Sequence, residues 1–221
     1  MVTETVAVPS LTIRVPAGHR IWLHADVATP PGAKGTVLFV HGSGSSRRSP
    51  RNRLVAAALN AAQFATVLVD LLTPVEERLD AQTTSLRLDI PLLTGRVVHL
   101  IDWLVSYDLI GTLPVGLFAA STGAAAALDA AAARPEVVRA VVSRGGRPDL
   151  ATHIEAVTSA ALFIVGGNDP AVLELNEKAL RQLNGIKQLE IVPGATHLFD
   201  EPGTLERAAS LAAGWFAKYL R

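Results

Sequence analysis

The stretch PVGLFAASTGAAAAL, residues 114–128, decides how the chain must be read. Residues 114–119 have the length and unbroken apolarity of a strand buried on both faces. The run then passes through Ala120, Ser121, Thr122 and Gly123 directly into four alanines that open a helix. A serine on so abrupt a strand-to-helix turn is forced into a strained backbone, so the residues two before and two after it must be small. Here they are Ala119 and Gly123. Such an elbow points the serine oxygen away from the sheet. It also sets the next amide, that of Thr122, at the positive end of a helix, where developing negative charge is stabilised. A serine that merely caps a Gly/Ala-rich helix would leave the same letters, so the rest of the chain has to arbitrate.

Outward from this segment, short β-rich runs alternate with longer Ala/Leu-rich ones, the pattern of a mostly parallel sheet wrapped by helices. Strands are expected over residues 6–15, 21–28, 36–40, 65–70, 114–119, 139–143, 161–165 and 188–192. Only five residues, Pro16, Ala17, Gly18, His19 and Arg20, separate the first two, too few for a crossover helix, so these two form an antiparallel hairpin. Helices are expected over 52–62, 86–107, 122–133, 172–183 and 205–220, with a short piece after Pro148. Pro135 and Gly185 stand just beyond two of them as stops. The fold class is therefore α/β: an eight-stranded, mostly parallel sheet with an N-terminal antiparallel hairpin and helices on both faces. No repeat, linker or charge block divides it, so one domain over residues 1–221 is expected.

Composition narrows the possible roles. A chain of 221 residues buries roughly 70% of its unfolded surface and needs no staples. The absence of cysteine excludes disulfides, zinc-thiolate sites and cysteine nucleophiles. With 20 Lys and Arg against 20 Asp and Glu, there is no basic excess to draw the protein to nucleic acid or an anionic membrane. The most apolar stretch, residues 115–133, is broken by Ser121, Thr122, Gly123 and Asp129 and does not read as a membrane span. The opening MVTETVAVPS contains Glu4 and no basic-then-apolar leader. A cytoplasmic protein, monomeric or a small homo-oligomer, is the expectation.

In a doubly wound sheet, ligands lie outside the carboxyl ends of the strands. In LFIVGGNDP, residues 162–170, Asp169 follows a strand and could orient a histidine or cap the next helix. In LEIVPGATHLF, residues 189–199, His197 follows the last strand. Ser121, Asp169 and His197 thus occur in the order nucleophile, acid, base, each after a core strand, which is the chain order of α/β-hydrolase triads. Asp70 and Asp149 also follow strands and are alternative acids. The strand TVLFV runs into His41, Gly42, Ser43, Gly44 and Ser45, where a backbone N–H can join that of Thr122 in an oxyanion hole. Ser43 is the first candidate donor and Gly44 the second. A phosphate-cradling role for this loop lacks the Walker lysine pattern. His19, His24, His99 and His153 show no ligand spacing, so no metal is expected.

The runs HGSGSSRRSPRN (41–52), FAASTGAAAAL (118–128), SRGGRPDL (143–150), IVGGNDPAVLELN (164–176) and PGATHLF (193–199) resemble the α/β-hydrolase superfamily. The small, cap-less layout resembles dienelactone-hydrolase-type members, in a branch sometimes attached to phosphoribosyltransferase domains. The resemblance covers nearly the whole chain. It implies a serine esterase without cofactor, with Ser121, His197 and Asp169 as triad and Ser43 and Thr122 as oxyanion donors. The namesake enzymes use a cysteine nucleophile where this chain has Ser121, so their lactone specificity is not carried over. Only a short connection separates the strand ending near Ser143 from the one starting near Ala161. No lid domain fits there, which favours small or soluble ester substrates over long-chain lipids. Gly44, Arg47, Arg48 and Arg144 are candidates to contact substrate, the arginines through a carboxylate or phosphate. The alternative is that the arginine-rich rim is solvated or paired with Glu76, Glu77 and Asp149. A non-catalytic module of the same fold, or a thioesterase, lactonase or acyltransferase, would show the same motifs.

Overall fold

A computed structural model describes residues 8–221; the first two residues of the expected 6–15 strand lie outside that range. One sheet carries β1 (Ser10–Pro16), β2 (Trp22–Ala28), β3 (Thr36–Val40), β4 (Ala65–Val69), β5 (Val115–Ala120), β6 (Val138–Arg144), β7 (Ala160–Gly166) and β8 (Lys187–Val192). Their order is β1-β2-β4-β3-β5-β6-β7-β8. The hairpin β1-β2 docks antiparallel on β4, and all the remaining pairings are parallel. From β3 the chain steps to β4 on one side and later to β5 on the other. That reversal opens a crevice at the carboxyl ends of β3 and β5.

The parallel strands are apolar throughout because both of their faces are covered. On β3, Val37 and Phe39 pack in one layer with residues of α1 (Pro50–Ala61) and α6 (Thr204–Tyr219). Leu38 and Val40 pack in the other with residues of α3 (Ile90–Ser106) and α4 (Gly123–Ala133). Each fully buried Leu, Val or Phe contributes about 1.5–3 kcal/mol. Between β6 and β7 lie only two single 3-10 turns, Pro148–Leu150 and Ile154–Ala156, so no cap covers the strand ends there. After β7, α5 (Pro170–Gln182) leads to β8. Among the described residues no helix is long and apolar enough to cross a membrane.

Two features depart from the periodicity-based expectation. Residues 86–107 are not one helix: Leu86–Leu88 forms a 3-10 turn, and α3 starts afresh at Ile90. The Asp89 carboxylate caps the new start by accepting the Leu92 N–H at 3.0 Å, and Pro91 sits in the first turn. The second is an additional helix, α2 (Pro74–Thr83). Its start is a capping box in which Thr73 Oγ1 accepts the Glu76 N–H at 3.3 Å and Glu76 Oε2 accepts the Thr73 N–H at 2.7 Å. Val75 and Leu79 on this helix are exposed, so it has no apolar stripe for a periodicity search to find.

Candidate active site

Ser121 ends the β5 turn at φ +50°, outside the usual range for a residue with a side chain. Such a conformation costs about 1–3 kcal/mol and survives only where neighbours enforce it. The enforcement is visible on both sides. A Cβ on Gly123 would lie 2.4 Å from the Val40 carbonyl oxygen, and one on Gly42 would lie 2.7 Å from Ser121 Cβ. Substitution at either glycine would therefore push the elbow off the β3 loop. The Ser121 carbonyl is held from the other side by the amides of Ala124 at 3.1 Å and Arg147 at 2.9 Å.

Asp169 occupies the N-cap position of α5, yet its side chain makes no capping bond. Its Oδ2 instead accepts a hydrogen bond from His197 Nδ1 at 2.7 Å. A carboxylate can only accept, so the proton sits on Nδ1 and Nε2 is left as a base. The alternative acids are occupied elsewhere: Asp70 binds Arg47, and Asp149 binds Arg147 through both oxygens at 2.8 Å. The loop carrying His197 is anchored by buried Phe199 and by Thr196, which donates through N–H and hydroxyl to Glu201 at 3.0 and 2.6 Å. Ser121 and His197 line one cavity of about 250 Å³, together with Ser43, Asn52 and Arg144. Nε2 of His197 has no hydrogen-bond partner among the described residues.

The β3 loop is set by His41. Its Nε2 accepts the Leu71 N–H at 3.0 Å, so its Nδ1 donates to the Gly42 carbonyl at 2.9 Å. Burial lowers the pKa of this imidazole, against the raising effects of the Gly42 bond and Asp70, and favours its neutral form. Ser43 reaches the crevice, where its amide donates to Thr122 Oγ1 at 3.0 Å. Gly44 lies on the far side of the loop, on a second cavity of about 260 Å³ shared with Leu72, Glu77, Arg87 and Leu93.

The structure separates the three candidate arginines. Arg47 is drawn away from Ser121: its amide and Nη1 donate to Asp70 at 2.8 and 2.5 Å, and its Nε donates to Asp26 at 3.3 Å. Arg48 is exposed on the outer face of the same loop. Arg144 alone joins the cavity of Ser121 and His197. Of the partners that the alternative reading offered the rim, Asp149 binds Arg147, while Glu76 binds Arg96 on α3.

Two site residues have no sequence signature. Asn52, in the first turn of α1, is buried against the cavity. Asn176, on α5, ties the loop after β6 by donating to the Gly146 carbonyl at 3.0 Å. Only their burial in a polar setting marks them. Among the described residues no group of three or more His, Cys, Asp or Glu is placed to hold a metal ion.

The crystal structure of a dienelactone hydrolase from Anabaena variabilis ATCC 29413 is 52% identical, with a TM-score of 0.95 over 97% of this chain and 100% of that one. The chain belongs to the dienelactone hydrolase-like family of α/β-hydrolases. Other α/β-hydrolases share its fold at low identity. Est1E from Butyrivibrio proteoclasticus is 15% identical with a TM-score of 0.78, covering 94% of this chain and 98% of its own. The dienelactone hydrolase-like promiscuous phosphotriesterase P91 from metagenomic libraries is also 15% identical at a TM-score of 0.78, covering 97% and 100%. Two Mycobacterium tuberculosis proteins, from strains CDC 1551 / Oshkosh and H37Rv, bear a provisional phosphoribosyl transferase name. They are 54% identical over 205 residues, and this α/β-hydrolase chain spans only 44% of their length. No family model matches the chain.

Proposed function

We propose that the protein is a serine hydrolase that cleaves carboxylic esters of small or soluble substrates. Ser121 attacks the ester carbonyl while His197 Nε2 takes its proton, and Asp169 holds the imidazole tautomer and stabilises its cationic form. The carbon–oxygen bond to the alcohol then breaks, and His197 returns the proton to the leaving alcohol. Water, activated by the same histidine, attacks the acyl-enzyme and releases the acid. The amides of Thr122 and Ser43 meet the oxyanion, each worth roughly 3–4 kcal/mol in comparable sites. The Ser43 amide donates to Thr122 Oγ1 at 3.0 Å, so it meets the oxyanion once that bond opens. The absence of a cap between β6 and β7 supports small or soluble substrates.

The observation that carries this reading is the joint placement of a strained Ser121, at φ +50°, and an Asp169-bound His197 on one cavity. The transferase name of the tuberculosis proteins is borne by chains of which this one matches 44%. We assign the hydrolase chemistry to the matched part. Fluorophosphonate labelling tests the assignment. Stoichiometric modification of Ser121, abolished in His197→Ala, is the expected result; an unlabelled wild-type protein would mark a non-catalytic module.

A further inference from the structure

Arg144 is the last residue of β6 and pairs across the parallel ladder with Ala120, the residue before Ser121. Neighbouring strands lie about 4.8 Å apart, so the arginine starts beside the nucleophile. It is only 7% exposed and lines the cavity that Ser121 and His197 share. Its Nε and Nη1 are sealed from solvent and have no acceptor among the described residues. The contrast with other enclosed arginines is plain: Arg47 binds Asp26 and Asp70, Arg87 binds Asp80, and Arg96 binds Glu76 and the Leu71 carbonyl.

The groups facing Arg144 do not neutralise it. The guanidinium carbon lies 5.7 Å from the centre of the Phe199 ring, within cation–π range, and the ring offers it no hydrogen-bond acceptor. The neighbouring carboxylate, Asp200, is bound by Arg51 at 3.1 Å. Arg51 itself lines the cavity and adds positive charge. Burial lowers Arg144 to about 10, with Arg51 adding to the shift and Asp200 opposing it, so the side chain stays cationic at neutral pH. A second polar group on the same wall, Asn52, is also buried with its Oδ1 unpartnered. Turned over, that amide presents N–H groups instead. Burying a cation without an acceptor is strongly unfavourable, and its position beside a nucleophile points to an anionic ligand.

We infer that the acyl part of the ester cleaved at Ser121 carries a carboxylate at its far end, and that Arg144 receives it. The inference rests on the hydrolase reading and adds a substrate class: monoesters of short dicarboxylic acids. A carboxylate entering the cavity meets Nη2, the guanidinium nitrogen that is neither sealed nor hydrogen-bonded among the described residues, through a charge-assisted hydrogen bond. A cavity of about 250 Å³ has room for an acyl chain of a few carbons. The carboxylate stays with Arg144 while the alcohol leaves, and water then frees the diacid.

The test compares kcat/KM for 4-nitrophenyl hemisuccinate and 4-nitrophenyl pentanoate. The wild-type protein is expected to prefer the hemisuccinate by about tenfold or more. Arg144→Met is expected to lower that ratio at least tenfold, mainly through KM, with Arg144→Lys retaining part of it. Arg139→Met, an exposed arginine on the same strand, is expected to keep the wild-type ratio. The inference is overturned by equal losses on both esters in Arg144→Met, by no preference in a wild-type protein that fluorophosphonate labels, or by a preference confined to esters with the acid on the alcohol. Calorimetric binding of monomethyl succinate to Ser121→Ala, with and without Arg144→Met, reads the same contact without turnover. Binding that depends on Arg144 in a protein that never labels at Ser121 would sink the hydrolase reading and keep the anion site. Labelling without such binding would do the reverse. Melting curves of each variant establish that it is folded.

Discussion

The carboxyl ends of β4 and β6 both bring charge to the same edge of the sheet, with opposite results. Beyond β4 the charges satisfy one another: Arg47 is clamped by Asp70 and Asp26, and Arg53 adds a bond to Asp26 at 3.2 Å. At the end of β6, Arg144 is comparably enclosed and has no acceptor among the described residues. The two carboxylates that follow strands divide likewise. Asp70 spends its oxygens on Arg47, whereas Asp169 spends one on His197. A cluster that neutralises itself braces the fold. One that leaves a base and a cation unsatisfied is available to a ligand, at a cost in stability.

The strongest test of this division is catalytic. Ser121→Ala should lower kcat for a 4-nitrophenyl ester by about 10⁶-fold, and Asp169→Asn by about 10⁴-fold. Asp70→Asn should leave kcat within about threefold while lowering Tm. Steady-state assays beside thermal melts decide it, and a silent Asp70→Asn enzyme would merge the two regions. Next in size is a contrast in stability. Arg47→Met strands two largely buried carboxylates and should cost about 3 kcal/mol, a fall in Tm of roughly 6–12 °C. Arg144→Met replaces an unpaired cation with an apolar chain, so calorimetry should find Tm unchanged or raised by roughly 2–4 °C. Equal falls in both variants would erase the distinction.

The smallest effect lies on α2, which flanks the β4 side. Burial alone would raise the Glu76 pKa, but hydrogen bonds from Arg96 and Thr73 outweigh it and hold it at about 2, below the ordinary 4.5. A carboxyl held low stabilises the fold fully above its unfolded value, and that gain is lost as pH falls through the folded one. Glu76→Gln should therefore lower Tm at pH 7, with the difference from wild type closing between about pH 4.5 and 2. A gap of constant size across that range would mean that Glu76 acts through packing and not through its charge.

Much of this architecture is legible in the chain. Strands buried on both faces show as unbroken apolar runs, and the crowding at the elbow shows as Ala119 and Gly123 around Ser121. What escapes is whatever lacks an apolar stripe. Helix α2 is announced only by Thr73, Pro74 and Glu76, a capping box with a proline just inside it. The restart of α3 is announced only by Asp89 and Pro91, whose local bonding interrupts a hydrophobic pattern that otherwise runs straight through. Asn52 and Asn176 are invisible because an asparagine has the same letter whether it is solvated or sealed.

By itself the sequence determined the strand-helix alternation, the elbow and the order of Ser121, Asp169 and His197, because periodicity and local sterics act over a few residues. It left open whether Asp169 caps a helix or turns to His197, and which arginine stands beside Ser121. Only the tertiary structure decided these, by bringing His197 within 2.7 Å of Asp169 and Asp70 within 2.5 Å of Arg47. Electrostatic partnership falls off with distance in space, and the chain positions of charges say nothing about which of them will meet.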